Sequence, residues 1–384
     1  GILGMFDMFS GGALSRMTIF ALNIMPYISA SIIIQLMTTV SPHLATLKKD
    51  GDAGRKKIIQ YTRYGTVLLA AVQGLGIASG LENLTSSSGP AVMEPGLMFK
   101  FTTVVSLTGG TVFLMWLGEQ ITARGIGNGI SLIIMAGIVA NLPVSLVSTL
   151  ELGKTGALSG LFIMFLLLMS VAVIAFIVFV ERAQRRLLIQ YPKRQVGMKV
   201  FQGDTNHLPL KINTAGVIPP IFASSILLLP VTVMSFNAGS GPSWLLDVTS
   251  LLGRGQPLYM ALYVGAITFF AFFYTSIVFS PEDTADNLQK NNGFIPGIRP
   301  GKNTALYIDH VLTRLTVVGA LYLSLVCILP EILIAKYAVP FYFGGTSLLI
   351  VVNVTMDTVA QIHSHLIAQQ YEGLIKKSKL RGRI

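Results

Sequence analysis

Nine long apolar stretches, in which a charged residue is almost never found, run through this chain and limit the folds open to it. A helix of about 20 such residues crosses the hydrocarbon core of a bilayer. Only 12% of the 384 residues are charged, whereas soluble domains carry roughly 25%. We therefore predict an all-α polytopic membrane protein. The predicted spans are residues 17–40, 64–81, 101–118, 126–147, 159–180, 213–235, 258–280, 315–335 and 337–356, the last two separated by a tight Glu331–Val339 connection.

Lysine and arginine are distributed unevenly between the loops. Of the 28 basic residues, 23 lie in loops that share one side if every span crosses, and five lie on the other. The basic side is made of loops 41–63, 119–125, 181–212 and 281–314 and the tail after 357. Cytoplasmic loops carry the excess of positive charge, so we predict a cytoplasmic C-terminus and an external first residue. With Asp7 and Arg16 then on the far side, we expect at least one further span before Gly1.

The predicted spans contain no group of residues that would form a catalytic or ion-coupling site. Ion-coupled transporters use carboxylates or histidines in mid-membrane, and hydrolases use a nucleophile with a base, but Glu119 and Asp357 lie only at span ends. We expect no catalytic site, no metal and no cofactor. The polar residues inside the spans are amides and hydroxyls, for which interhelical hydrogen bonding and the lining of a path remain equal alternatives.

The first stretch, 17–40, leaves two alternatives open. Pro26 removes a backbone donor near its middle, and Ile24 and Ile28 are four residues apart, which places them on one helix face. The stretch is either a kinked helix that faces lipid or the wall of a path through the membrane.

Two basic loops are too long to be simple turns. In the first, Leu187–Tyr191 and Val200–Gln202 have strand character around a Pro-Lys-Arg turn, which predicts a hairpin. In the second, glycines and prolines at 297–301 frame Arg299 in a rigid turn. Positive-inside topology explains why these loops are basic but not why they are long. We therefore predict that they are docking surfaces, which would suit ribosomal RNA phosphates or an acidic motor protein.

Several long segments of the chain have a distinctive sequence. The first two are FSGGALSRMTIFALNIMPYISASIIIQL at 9–36 and FLMWLGEQITARGIGNGISLIIMAGIVA at 113–140, and others follow in order at 207–225, 294–301 and 339–352. Together they resemble the SecY family, the channel subunit of the Sec protein translocase, and most closely its bacterial members. The family has ten spans with the N-terminus inside, so the nine seen here imply that its first helix is absent, in agreement with the topology.

The resemblance implies two pseudo-symmetric inverted halves with a pore between them. The N-terminal half would be residues 1–150, with the family's second to fifth helices, and the C-terminal half residues 151–384, with the sixth to tenth. A ring of aliphatic side chains would close the pore, and its positions here are all isoleucine. They are Ile24, Ile28, Ile130, Ile134, Ile221 and Ile350.

The resemblance also implies a plug and a lateral gate. The plug would be the short segment Met5–Leu14, with Met5, Phe6, Phe9 and Leu14 sealing the outer funnel. The gate would open between spans 17–40 and 64–81 on one side and 213–235 and 258–280 on the other. Its polar residues would be Ser29, Gln35, Gln73 and Asn213.

Further expectations concern partners and location. By resemblance the basic loops dock the ribosome, through its RNA and proteins, or the SecA motor, and energy comes from that ATPase or ribosome. The docking residues would be Arg299, Arg185, Arg186, Lys193 and Arg194. SecE and SecG subunits, signal peptides, nascent chains and membrane lipids are the other implied partners, in a bacterial inner membrane. The expected function is a passive protein-conducting channel that also releases hydrophobic helices sideways; a small-solute secondary transporter or a structural scaffold is the alternative.

Overall fold

Helices make up almost all of the regular structure. The computed structural model describes residues 16–82, 85–86, 89–90, 92–155, 159–192, 194–196, 199–201, 205–235, 256–337 and 345–381. The helices in these ranges are α1 (Met25–Val40), α2 (Pro42–Lys49), α3 (Asp52–Glu82), α4 (Leu97–Arg124), α5 (Gly129–Lys154), α6 (Gly160–Arg182), α7 (Ile218–Ser235), α8 (Pro257–Val278), α9 (Pro281–Lys290), α10 (Lys302–Tyr337) and α11 (Gly345–Arg381). The strands are β1 (Thr85–Ser86), β2 (Gly89–Pro90), β3 (Gln184–Gln190), β4 (Arg194–Val196), β5 (Lys199–Phe201) and β6 (Thr205–Lys211).

The first apolar stretch is shorter as a helix than the sequence predicts. Residues 16–24 form turns, and Asn23 has a left-handed φ of 48°, a conformation that asparagine tolerates better than most residues. Pro26 occupies the first turn of α1, where its missing N–H has no intrahelical acceptor in any case. Of the two alternatives for this stretch, the one with a kink at Pro26 therefore loses its basis, because Pro26 does not lie in the middle of a helix. The bend instead comes at the far end, where Ser41 is extended before Pro42 and α2 leaves at 102°, because the residue before proline avoids the helical region.

Every predicted span overlaps one long helix, but several helices extend beyond the apolar stretches. α3 begins at Asp52 and α10 at Lys302, so the predicted loops 41–63 and 281–314 are partly helical. Charge ends an apolar run without ending a helix, because a helix can continue into the polar layer with its own hydrogen bonds satisfied. α10 also runs through Glu331, which is buried within it and does not form the predicted connection.

Length and composition alone qualify six of the described helices as membrane-crossing. These are α3, α4, α5, α6, the α8–α9 unit and α10, and the bent α1–α2 pair makes a possible seventh. Their outer faces are broadly apolar: Leu161, Leu168 and Phe179 of α6, for example, are more than two-thirds exposed. Such faces suit lipid, which has no water to hydrogen-bond a polar group.

The first basic loop forms a hairpin, although not with the predicted pairing. β3 pairs antiparallel with β6, so that Leu187 is opposite Leu208, and β4 pairs with β5 as a second, smaller ladder. Val200 therefore belongs to the smaller ladder, and the predicted pairing of Leu187–Tyr191 with Val200–Gln202 is wrong. The period-two pattern identifies strands but does not select the partner, which here is decided by burial of Leu187, Ile189 and Leu210.

The two basic loops pack into one unit, which we call the polar lobe (residues 184–192, 205–211 and 281–311). Leu187, Ile189 and Leu210 of the hairpin share an apolar core with side chains of α9, the following turn and α10. Gln190 and Phe294 exchange two backbone hydrogen bonds of 2.9 and 3.0 Å. Two segments about 100 residues apart in sequence thus form one small domain-like body.

The helices enclose a single large apolar core with two lines of contact between the earlier and later parts of the chain. α7 packs against α1 and α3, and on another face α5 packs against α6 and α11. On that second face the Gly127 N–H donates to Gln361 Oε1 at 2.8 Å. The candidate site lies between these two lines of contact.

Candidate pore and gate

The six predicted ring isoleucines come together. Five of them are buried in the large core, at 0–9% exposure, and Ile130 is packed against the same cluster. They come from the turn before α1 and from α1, α5, α7 and α11. Residues that are more than 300 positions apart in the chain therefore meet in one apolar cluster.

Close backbone approaches position the ring residues of α5. A Cβ on Gly129 would overlap the carbonyl oxygen of Gly118, so glycine is needed where α4 and α5 cross. Thr122 Oγ1 bridges this crossing, accepting from the Gly129 N–H and donating to the Gly118 carbonyl, each at 2.9 Å. Asn128 caps α5 by accepting from the Ile130 N–H at 3.1 Å. The start of α5, and with it Ile130 and Ile134, is held against α4.

A second close approach positions Ile24. A Cβ on Gly110 of α4 would overlap the Ile19 carbonyl oxygen, so the turn segment before α1 lies directly on α4. Ile24 ends this segment with its side chain fully buried. The first helical bonds start there, where the Ile28 N–H donates to the Ile24 carbonyl at 3.2 Å.

A cavity of about 680 Å³ adjoins the isoleucine cluster. Ile28, Ile130, Ile134 and Ile221 line it, while Ile24 and Ile350 are buried in the cluster and do not. The remaining wall carries hydroxyls and amides, among them Ser31, Gln35 and Asn128. The arrangement places a cavity with polar groups in part of its wall against an apolar closure.

The wall of this cavity contains an ion pair that the sequence did not indicate. Arg63 of α3 donates from Nε and Nη2 to the two carboxylate oxygens of Glu119 on α4, at 2.9 and 2.7 Å. Such a two-pronged guanidinium–carboxylate pair is strongly oriented. The sequence placed Arg63 in a loop, and only the extension of α3 beyond its apolar part brings it opposite α4.

The four predicted gate residues do not form one hydrogen-bonded seam: within the described ranges, no hydrogen bond joins any two of them. Ser29 and Gln73 are buried, and Gln73 Oε1 has no hydrogen-bond partner. Gln35 lines the cavity and its Nε2 lies 3.5 Å from Ser31 Oγ. Their helices nevertheless meet along the line where α7 contacts α1 and α3.

Asn213 belongs instead to a polar node around Glu181, which the sequence analysis missed. The Asn213 side-chain amide donates to Glu181 Oε1 at 2.7 Å and to the Gly216 carbonyl at 3.0 Å. Asn353 of α11 donates to the same Glu181 oxygen at 3.1 Å. Asn213 and Asn353 were both recognised as amides within spans, but Glu181 was assigned to a loop because it follows an apolar run.

The node links three parts of the site. Glu181 is the penultimate residue of α6, three residues before the hairpin strand β3 begins. Asn213 precedes α7, and Asn353 lies three residues after Ile350 on α11. A carboxylate that accepts from two side-chain amides makes stronger hydrogen bonds than a neutral acceptor. The junction of polar lobe, α7 and pore cluster is thus fixed by one side chain.

The predicted docking residues that the structure describes are exposed on the polar lobe. Arg185 and Arg186 lie on β3, and Arg299 lies in a turn whose ends, Gly297 and Gly301, have φ of 83° and 100°. Glycine accepts these angles without strain. Thr304 Oγ1 donates to the Arg299 carbonyl at 3.0 Å and holds the turn to α10.

Other predicted residues lie outside the described residues. They are the plug positions Met5, Phe6, Phe9 and Leu14, together with Lys193 and the side chain of Arg194. Among the residues that are described, no group of three or more His, Cys, Asp or Glu side chains is placed to hold a metal ion.

The fold and site together define a class: a multi-pass α-helical membrane protein whose polar cavity adjoins a closure of aliphatic side chains. Comparison with known proteins makes this more specific. The SecY family model matches residues 18–359, and the chain belongs to the SecY family.

Relatives and solved structures agree with this assignment. The protein translocase subunit SecY of Escherichia coli (strain K12) is 58% identical over 382 residues, which are 99% of this chain and 86% of that protein. The subunit of the same name from Rickettsia bellii is 56% identical, covering 100% and 88%. A solved protein-conducting channel shares the fold with a TM-score of 0.69 at 16% identity, over 94% of this chain and 85% of its own. Sec61 in the canine ribosome-channel complex from the endoplasmic reticulum matches with a TM-score of 0.65 at 16% identity, again over 94% of this chain and 85% of its own.

Proposed function

We propose that the chain is the channel subunit of a protein translocase, which passes unfolded polypeptides across the membrane and releases hydrophobic helices into lipid. The observation that carries the proposal is the convergence of six isoleucines, from distant parts of the chain, beside a polar cavity. The relatives named protein translocase subunit support it. They also argue against the alternative of a small-solute transporter.

The isoleucine cluster acts as the seal of the channel. A narrow apolar constriction loses its water and blocks ions, while aliphatic side chains held by dispersion alone can part around a passing chain at a small cost per contact. In this role Ile24, Ile28, Ile130, Ile134, Ile221 and Ile350 form the ring. By resemblance, residues 5–14, which lie outside the described residues, would serve as a plug for the outer funnel.

The lateral gate is the line where α7 meets α1 and α3. Phe222 of α7 stands edge-on to Phe270 and Tyr274 of α8, with ring centroids 5.7 and 6.2 Å apart, so α7 and α8 move as one wall. Ser29, Gln35 and Gln73 make the closed gate more polar than an apolar signal helix would, while Asn213, the fourth predicted gate residue, bonds to Glu181 just before the start of α7. A ligand that prefers the open state shifts such an equilibrium, and an apolar signal peptide is suited to do so.

Residues 1–150 and 151–384 act as the two halves that separate when the gate opens. The contact of α5 with α6 and α11, near which Gly127 donates to Gln361, joins the two halves through helices other than those of the gate. It therefore serves as the hinge.

Energy and partners are external to the chain. The exposed arginines of the polar lobe, Arg185, Arg186 and Arg299, dock the ribosome or the SecA motor together with Lys193 and Arg194, and SecE and SecG complete the channel. The chain resides in a bacterial inner membrane with its C-terminus in the cytoplasm, as the distribution of basic residues predicts. It works as a channel subunit and not as an enzyme.

Cysteine crosslinking of a stalled secretory chain tests the proposal. The only native cysteine, Cys327, is buried, so a Cys327→Ser background with single cysteines at the six ring positions gives defined sites. We expect crosslinks from a cysteine in the stalled chain to each ring position. Cysteines at Leu161 and Phe179, on the outer face of α6, provide the control and should give none. Absence of crosslinks at all six ring positions would contradict the channel assignment.

A further inference from the structure

The Arg63–Glu119 pair lies on the wall of the chamber through which, on the proposed function, every polypeptide must pass. Both residues line the cavity, together with Ile28, Ile130 and Ile221 of the isoleucine cluster. The side chains are 49% and 22% exposed, so the charges face the chamber and are not sealed inside the bundle. A translocating segment therefore comes close to both of them.

Because the two opposite charges are in direct contact, their fields largely cancel at distances greater than their separation. Both guanidinium–carboxylate hydrogen bonds are 2.9 Å or shorter, and the separated charges would each act over about 8–10 Å at physiological salt. A narrow chamber with low-dielectric walls focuses such fields further. The other charged residue of the wall, Arg55, has no ion-pair partner within the described part of the chain. Without Glu119 the wall would therefore carry two unpaired positive charges.

Stability alone gives little reason for an ion pair here. Exposed pairs contribute about 0–1 kcal/mol to folding. The same two helices already pack closely, since even a Cβ added to Gly74 of α3 would meet Val104 and Leu107 of α4 at van der Waals distance. Electrostatic arrangement of this kind more often controls which partners are accepted than how tightly they bind.

We propose that the Arg63–Glu119 pair limits the net charge of the chamber wall to that of Arg55, so that lysine-rich and glutamate-rich stretches pass at similar rates. The inference rests on the proposed channel function. Each member of the pair masks the other: Glu119 prevents Arg63 from repelling basic segments, and Arg63 prevents Glu119 from repelling acidic ones. The pair is in this sense a specificity-determining element of the chamber.

The experiment compares three secretory substrates that are identical except for one mature segment, which is lysine-rich, glutamate-rich or neutral. Translocation rates are measured with the complete translocase in vesicles. We expect Glu119→Gln to slow the lysine-rich substrate by about three- to tenfold relative to the neutral one, from the added charge repulsion. Arg63→Gln should slow the glutamate-rich substrate instead. The double variant (Arg63→Gln with Glu119→Gln) and the swapped pair (Arg63→Glu with Glu119→Arg) should restore the ratio of rates seen with the unaltered protein. The differences should shrink at high salt.

The second ion pair between the same helices is the matched control. Glu82 and Lys100 join the opposite ends of α3 and α4 at 3.0 Å and do not line this cavity. Glu82→Gln should not change the ratio between the three substrates. Equal slowing of all three substrates by Glu119→Gln, or persistent discrimination in the double variant, would overturn the inference. Failure of the unaltered protein to pass even the neutral substrate would contradict the proposed function instead.

Discussion

At the residue scale, two adjacent glycines in the middle of α4 differ sharply in their surroundings. A Cβ on Gly110 would overlap the backbone of Ile19, whereas a Cβ on Gly109 would meet nothing within 4 Å. Neither has a positive φ, so alanine is acceptable to the backbone at both positions. The difference between the two substitutions therefore isolates the close approach that positions Ile24.

We expect Gly110→Ala to destabilise the protein by about 1–3 kcal/mol, because the overlap forces the turn segment away from α4. Gly109→Ala should be neutral or stabilising by a few tenths of a kcal/mol or more, since alanine favours the helix. Thermal unfolding of the purified complex in detergent measures both. Equal unfolding temperatures for the two variants would contradict the positioning role of this contact.

Glu181 allows a second prediction at this scale. Glu181→Ala removes the shared acceptor of Asn213 and Asn353, and an unsatisfied buried donor costs about 1–3 kcal/mol. Glu181→Gln retains one oxygen that can accept, so it should cost less. The measurement is again the unfolding temperature, which should be highest for the native protein, lower for Glu181→Gln and lowest for Glu181→Ala. A glutamine variant as unstable as the alanine variant would show that the hydrogen bonds to the carboxylate oxygen are not what holds the node.

At the scale of elements, the polar lobe explains why two distant loops act as one surface. The hairpin and the α9–α10 connection share an apolar core, so the arginines of both loops are presented by a single rigid body. The sequence predicted each loop as a separate docking surface. Their union depends on cross-strand burial and on the bridge between Gln190 and Phe294, neither of which has a local signature.

Charge reversal on this lobe tests docking. Arg299→Glu should abolish motor-driven translocation while the channel still assembles, because the turn is held through the Arg299 carbonyl and not through its side chain. Motor binding and ATP-dependent export into vesicles are the measurements. Lys290→Glu makes the same charge change at another exposed position of the lobe and should have little effect. Normal export by Arg299→Glu would refute the docking role.

At the scale of the whole molecule, the seal depends on five segments that converge from both ends of the chain. We expect Ile28→Gly combined with Ile130→Gly to raise the ion conductance of purified channels in planar bilayers, because a wider, less apolar constriction stays wet. The control is Ile177→Gly with Ile267→Gly, which removes two fully buried isoleucines of the same core that do not line the cavity. Unchanged conductance in the first variant, or an equal rise in the second, would contradict the ring.

The predicted orientation in the membrane is also a property of the whole molecule. In a Cys327→Ser background, a cysteine at Met93, which is 97% exposed between α3 and α4, should react with an impermeant maleimide from outside intact spheroplasts. A cysteine at the exposed Lys290 should react only after the membrane is opened. These two positions lie on opposite sides according to the distribution of lysine and arginine. The reverse pattern of labelling would contradict the predicted orientation.

The sequence by itself determined the membrane class, the position of the long helices and the family, because each of these depends on local composition or on contiguous motifs. The boundary errors share one cause: α3 and α10 begin before their apolar runs because a helix satisfies its own backbone within polar surroundings. Pro26 lies in the first turn of α1 and not in the middle of a helix, because the left-handed turn at Asn23 delays the start of α1. No periodic pattern in the sequence indicates such a turn.

Only the tertiary structure decided which polar groups meet. Arg63 and Glu119 are 56 residues apart and Glu181 and Asn353 are 172 apart, and a side chain at the end of an apolar run gives no local sign of its partner. Burial supplies the reason for the Glu181 node, because the amides of Asn213 and Asn353 leave water and must find a hydrogen-bond partner. The Arg63–Glu119 pair faces the chamber and forms because the extension of α3 brings opposite charges together across two packed helices. The apolar pattern thus determined where the chain can enter a membrane, and helix packing determined the chamber, its ion pair and the node that joins it to the polar lobe.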